Sequence, residues 1–393
     1  MNLLNVHYSI KPVYYISRFA FTWPFKYINR QIISLSCTER LFGIIVGILH
    51  VALLSWSLYE RNISPRVKVQ LSQSLLDDIS TISATLLTLV AIGKNNISKN
   101  ITNTTKFFKQ IISIDRVLQF PNDSYKKHYS YLRNKSSIQL VLVVLLTCID
   151  NYMWINSTGL LISTYYFHSY SMYILNDIVT LQIDAKITLL KERFALLNEK
   201  LTTLIKEAVT ETTGHKNGKP TAIKPTEETI RSFNKIFDVL CDLAESVNKC
   251  HGVEIIILAL TILTVALNTL VIGFTLFRSV TQIENVVSTS MQFLWSAYYI
   301  ILGMMLTSSA SATVKLASKT SVLSHKLLLE YSSCPEDSEK LYYSREELKL
   351  LIEQVAYRNP TFSAAGFFTV DYTMLYAIVG AVTSYFIVLL QLP

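Results

Sequence analysis

Residues 380–393 read GAVTSYFIVLLQLP, an apolar run broken by a single amide, Gln391. On a soluble protein such a stretch would form an exposed adhesive patch. Against lipid it would be matched. Runs of the same character recur along the 393 residues, of which 50% are hydrophobic and only 16% charged, and mean hydropathy is +0.34. This composition is that of a membrane-spanning chain.

Seven segments are apolar and close to the length of about 20 residues that a helix needs to cross a bilayer: 41–59, 71–93, 137–154, 158–181, 253–277, 288–314 and 366–392. Lys and Arg are distributed very unevenly around them. Of the 36, only Arg61, Arg66, Lys68 and Arg278 fall in the alternate loops, and the other 32 gather in the N-terminal segment and the remaining loops. The positive-inside rule therefore predicts a cytosolic N-terminus and an extracellular C-terminus. The expected fold is an all-α membrane protein of seven transmembrane helices with a cytosolic helical domain. Its parts are a cytosolic N-terminal segment (1–40), spans one to four (41–181), cytosolic helices (182–252), spans five and six (253–314), a cytosolic loop and helix (315–365), and span seven (366–393). No cleavable signal peptide is evident.

The inner loops read as helix. Ile183, Ile187, Leu190, Phe194, Leu197, Leu201 and Leu204 recur at helical spacing, continuing out of span four. Gly214, Gly218, Pro220 and Pro225 mark a loop. Thr226 then reads as a cap for a helix carrying Phe233, Ile236, Phe237, Leu240, Leu243 and Val247 in one stripe. Ser344–Arg345–Glu346–Glu347 reads as a capping box opening a third helix, with Leu348, Leu351, Ile352 and Val355. These stripes either pack on one another or build a domain that joins several subunits.

Several functional classes can be set aside. The net charge of +8 lies between apolar runs and forms no single patch, which excludes a nucleic-acid partner. The five cysteines form no CxxC pair or Cys/His cluster, so no metal is expected. No nucleophile, base and metal constellation gathers, so neither an enzyme nor a cofactor is expected. A G-protein-coupled receptor would have the opposite topology, and neither a D/ERY after span three nor an NPxxY in span seven is present. No internal repeat supports a transporter.

The closing stretch carries a motif. Ser384 and Tyr385 are followed by five hydrophobic residues, then Gln391 and Leu392. This resembles the last span of insect gustatory receptors, which ends on Thr-Tyr, five hydrophobic residues, Gln and Phe. Ser for Thr and Leu for Phe are the departures, and Leu after the Gln is similar to the related odorant receptors. The stretches FFTVD and GAVTSY look like the same final helix. The resemblance implies a ligand-gated, non-selective cation channel of four subunits, either a homotetramer or a heteromer with other gustatory receptors. It implies that span seven lines a central pore at the plasma membrane and that a tastant binds within each subunit. Carried over to this chain, Gln391 would be a pore-lining amide near the outer mouth, Val388 and Leu392 would belong to a hydrophobic gate, and Ser384 would face the pore one turn deeper. Asp371 would either attract cations at the cytosolic mouth or simply start the helix.

Candidates for ligand contact lie in the outer parts of the spans: Asp77, Asp150, Trp154, Tyr165, Tyr166, His168, Trp295, Tyr298 and Tyr299. An acid inside a span is a functional hypothesis by default, and Asp150 among aromatics is the foremost. Aromatic rings suit flat or alkaloid-like compounds through stacking and cation–π contact, and with carboxylates they also suit sugars. The resemblance favours a bitter plant secondary compound, with a sugar-gated channel as the alternative and a seven-helix receptor acting on an intracellular partner as a third.

Overall fold

The computed structural model describes residues 2–28, 31–63, 71–95, 97–213, 227–278, 283–332 and 339–391. In chain order these form α1 (Asn2–Phe19), a hairpin of β1 (Phe25–Ile28) and β2 (Gln31–Ser34), α2 (Cys37–Ile63), α3 (Leu71–Lys94), α4 (Ser98–Val117), α5 (Asn122–Thr158), α6 (Leu160–Thr213), α7 (Glu227–Arg278), α8 (Ile283–Ser332), α9 (Glu339–Tyr357) and α10 (Tyr372–Gln391). The two strands are antiparallel, with Phe25 opposite Ser34.

Among the described residues five helices are long and apolar enough to cross a membrane: α2, α3, α5, α7 and α8. With α6 and α10, helices occupy all seven of the segments read from the sequence. The span-length part of α6 carries polar residues that turn inward: His168, Ser169, Asn176, Asp177 and Thr180 are all buried in the bundle. Helices α6, α7 and α8 contain 54, 52 and 50 residues. At 1.5 Å per residue each is about 75–80 Å long, more than twice a hydrocarbon core of about 30 Å. Each is therefore long enough to cross a membrane and continue into a second helical layer.

That layer is built on the expected stripes. Ile183, Ile187, Leu190, Phe194, Leu197 and Leu201 of α6, Phe233, Ile236, Phe237, Leu240, Leu243 and Val247 of α7 and Leu348, Leu351 and Val355 of α9 are all buried in one hydrophobic cluster. Leu204 and Ile352 are half-buried at the margin. A polar seam joins α7 to α9 and the segment after it. The Asn234 amide donates to Glu347 Oε2 at 2.8 Å and Gln354 to Asp238 at 3.1 Å. Arg358 pairs with Asp238 and Asp242, and Asn248 donates to the Thr361 carbonyl at 2.7 Å.

Three expectations about boundaries are corrected. First, α9 begins at Glu339, so Ser344 lies within the helix and does not cap it; Glu347 serves Asn234 instead. Second, the last span starts later than 366. Ala365 and Gly366 adopt left-handed backbone, Ser363 and Thr369 form an isolated bridge, and the helix begins at Tyr372. Third, α6 continues through Thr213, past residue 211, where the polar stretch 211–225 that reads as a loop begins. The loop glycines and prolines and the Thr226 cap lie outside the described residues.

Two helices were not anticipated from the sequence. In α4, Asp115 receives Arg193 of α6 in a two-pronged pair, Nε–Oδ1 2.9 Å and Nη2–Oδ2 2.8 Å, with both side chains fully buried. The Tyr125 hydroxyl adds a bond to Asp115 at 2.6 Å, and the guanidinium sits 4.3 Å from the Phe120 ring. Helix α1 packs with the hairpin, where His7 stacks on Tyr27 at 3.7 Å. Burial, with Lys11 nearby, pulls the His7 imidazole down to about 4, so it packs as a neutral ring. A last cluster ties α3, α6 and α7 together: Lys94 pairs with Glu254 at 2.8 Å, Glu254 also meets His251, and His251 Nε2 lies 2.7 Å from Lys186 Nζ.

Candidate ligand chamber and pore helix

Helices α5 and α6 are joined by one non-helical residue, Gly159, at φ 92°, a backbone conformation that favours glycine. This tight joint sets α5 and α6 side by side, and α8 packs on both. Their polar and aromatic side chains converge inside the bundle.

One group centres on Asp150. Its Oδ2 accepts the Trp295 indole N–H at 2.9 Å, and Tyr170 lies beside it. The Trp295 ring packs 4.5 Å from Tyr173 and 6.0 Å from Tyr298. Tyr173 and Tyr298 both stand edge-on to Tyr299, at 5.8 and 6.0 Å. The Tyr298 hydroxyl donates to Asp177 Oδ1 at 2.8 Å, and Gln139 donates to the same oxygen at 3.4 Å. Asp177 Oδ2 is buried without a hydrogen-bond partner. Among the described residues neither Asp150 nor Asp177 forms an ion pair; the nearby Lys135 is held by Asp184 at 2.6 Å.

A second group borders the first. Arg61, in the last turn of α2, is buried and pairs with Asp77 and, at 3.1 Å, with Asp78. Its guanidinium lies 5.1 Å from the Tyr166 ring, which stacks on Trp154 at 4.6 Å. Tyr173 stands between the groups, within electrostatic reach of Asp77 and Asp150.

Of the nine sequence-derived ligand candidates, Asp150, Trp295, Tyr298 and Tyr299 fall in the first group, and Asp77, Tyr166 and Trp154 in the second. Tyr165 and His168 face α2 and α3 instead. Tyr165 stands edge-on to Trp56 at 5.8 Å, while His168 Nε2 lies 3.0 Å from the Thr85 hydroxyl and its ring 5.9 Å from that of His50. Other members stand outside those nine, among them Arg61, Tyr173 and Asp177. Arg61 reads in the sequence as a loop charge. Asp177 and Tyr173 lie further along α6, although an acid within an apolar segment is signal enough to find Asp177.

In α10, Asp371 is the N-cap: Oδ1 accepts the Thr373 N–H at 2.8 Å and Oδ2 the Thr369 hydroxyl at 3.0 Å. Ser384 is exposed, and its hydroxyl bonds back to the Gly380 carbonyl at 2.9 Å. Within the chain α10 packs on α7 and α8. Met374 is buried there, whereas Tyr376, Val379, Tyr385, Ile387 and Val388 are exposed. Gln391 is the last residue of α10, and its side chain, like all of Leu392, lies outside the described residues.

Comparison defines the family. The model of the 7tm chemosensory receptor family matches residues 10–392, and the chain belongs to that family. It is 26% identical over 181 residues to a Drosophila melanogaster protein that carries the name gustatory receptor 28a; the match takes in 42% of this chain and 36% of that protein. Its fold matches the solved olfactory receptor OR5 of Machilis hrabei over 100% of both chains, with TM-score 0.68 and 14% identity. Against the structure of OR5 in complex with eugenol the TM-score is 0.64, again at 14% identity.

Proposed function

We propose that the chain is a gustatory receptor subunit, four of which form a ligand-gated, non-selective cation channel in the plasma membrane. The observation that carries this reading is α10. It is strongly apolar, it packs only partly within its own chain, and it leaves Val379, Ile387 and Val388 exposed. Four such helices around an axis would present those residues to one another and close a pore by dewetting. Gln391 would supply a polar group at the mouth without the cost of a buried charge. Asp371, spent on capping, still presents a carboxylate at the other end.

The tastant would enter the Asp150–Trp295–Asp177 chamber. Two carboxylates without ion-pair partners, lined by the rings of Tyr173, Trp295, Tyr298 and Tyr299, suit a protonated amine on an aromatic frame, through charge and cation–π contact. This chemistry favours a bitter plant alkaloid. OR5 in complex with eugenol is a case of this architecture with a small aromatic molecule. The second reading, a sugar-gated channel, draws on the same acids as acceptors for hydroxyls.

The test is whole-cell recording from cells expressing only this chain, exposed to panels of alkaloids and sugars. Cation currents evoked by aromatic amines support the proposal. Responses carried by sugars alone would move the ligand assignment to the second reading. Responses that persist without membrane current and vanish with a G-protein blocker would sink the channel itself.

A further inference from the structure

A cleft of about 760 Å³ opens on the flank of the bundle, between α5, α6, α8 and the start of α10. Its lining changes character along the helix axes. Toward the membrane centre it is apolar, with Ile138 of α5 and Ile301 and Met304 of α8, all exposed. One turn or so further toward the end where basic residues gather, it is lined by Asn134, Lys135, Lys191 and Ser308. The two lysines differ. Lys135 is neutralised by Asp184, which also accepts the Ser309 hydroxyl at 2.6 Å. Lys191 forms no ion pair among the described residues and keeps a free ammonium group at the polar end.

We propose that this cleft binds an anionic phospholipid of the cytosolic leaflet, with its acyl chains on Ile138, Ile301 and Met304 and its headgroup phosphate on Lys191, Asn134 and Ser308. The division of the lining matches the division of a lipid, and its level matches the boundary between the apolar part of α5 and its basic turn. Membrane-facing basic residues attract anionic headgroups, and an apolar wall at hydrocarbon depth excludes a purely ionic occupant. Tyr372, the first residue of α10, closes the cleft's edge, so an occupant touches the base of that helix. The inference uses the side assignment from the charge count and does not depend on the ligand chamber.

The test uses the purified full-length chain in mixed phosphatidylcholine and phosphatidylserine vesicles, followed by extraction and native mass spectrometry. Phosphatidylserine should be retained in preference to phosphatidylcholine. Lys191→Glu should cut that preference about tenfold or more, Lys191→Gln should reduce it less, and Met304→Trp should lower retention of both lipids by filling the apolar end. Unchanged thermal unfolding of the variants separates these effects from misfolding. The proposal is overturned if the three variants retain phosphatidylserine like the parent or if excess inorganic phosphate displaces the lipid fully, which would mark a simple anion site. It is also overturned if Ile138→Cys forms a disulfide between subunits, which would mean that a second copy covers the cleft.

Discussion

Asp150 and Asp115 are both buried acids, yet they face opposite consequences on mutation. Asp150 holds an indole N–H and no cation, so Asp150→Asn keeps the shape and the hydrogen bond to Trp295 while removing the charge. The channel should fold and conduct normally, with the half-maximal concentration of an amine agonist raised about tenfold or more, since charged hydrogen bonds contribute about 1.5–3 kcal/mol. A dose–response series on patch-clamped cells measures this, and a changed unitary conductance would remove Asp150 from the chamber. Asp115→Ala instead strands the fully buried Arg193 guanidinium. Breaking one side of such a pair costs about 3–5 kcal/mol, so folded yield and thermal stability should drop in fluorescence size-exclusion assays. The two acids were unequally legible. Asp150 sits in an apolar run, where any charge stands out. Asp115 lies between spans, next to Arg116, where a charge does not stand out, and its partner is 78 positions away. Arg61 was hidden for a similar reason: a basic residue at a span end reads as a loop charge until Asp77 is seen beside it.

Among the elements, two copies of one pattern show how context decides. Ser36–Cys37–Thr38–Glu39 and Ser344–Arg345–Glu346–Glu347 both fit a capping box. Only the first is one. Ser36 follows a strand, its N–H and hydroxyl donate to Glu39 Oε2 at 3.0 and 2.9 Å, and Glu39 N–H returns to its hydroxyl at 3.4 Å. Ser344 follows helix-forming residues, so the helix has already begun. The long apolar helices and the three inner stripes were plain from periodicity. Helices α1 and α4 were not, because each is short and mixes polar with apolar residues, and their burial depends on partners elsewhere. The joint between α7 and the segment entering α10 offers a test at this scale. A Cβ on Gly252 would stand 2.4 Å from the Ala365 backbone nitrogen, beside the left-handed turn at Ala365 and Gly366. Gly252→Ala must therefore displace backbone and should destabilise by about 1–3 kcal/mol. Gly93→Ala, with nothing within 4 Å, is the control that should be tolerated. Paired melting curves of the two variants give the comparison, and equal melting would contradict the close approach.

For the whole molecule, the question is how a chamber in one part of the bundle would act on α10. The proposed pore assigns Gln391 to the ion path, so Gln391→Ala should change rectification or relative cation permeability and leave agonist ranking intact. An unchanged current–voltage relation would count against that assignment. Ligand chamber and second layer are linked by single uninterrupted helices. Helix α6 carries Tyr166, Tyr173 and Asp177 near one end and Asn198 further along, where Asn198 bonds the Leu316 carbonyl at 2.7 Å and the Thr320 hydroxyl at 2.8 Å on α8. From Asp177 to the end of the rod at Thr213 is about 54 Å, so a pivot of about 2° at the Asp177 level would sweep the far end through about 2 Å. Such a rod is a lever with mechanical gain. In the proposed channel, a small shift of the side chains around Asp177 would reach the second helical layer as a displacement of ångström scale.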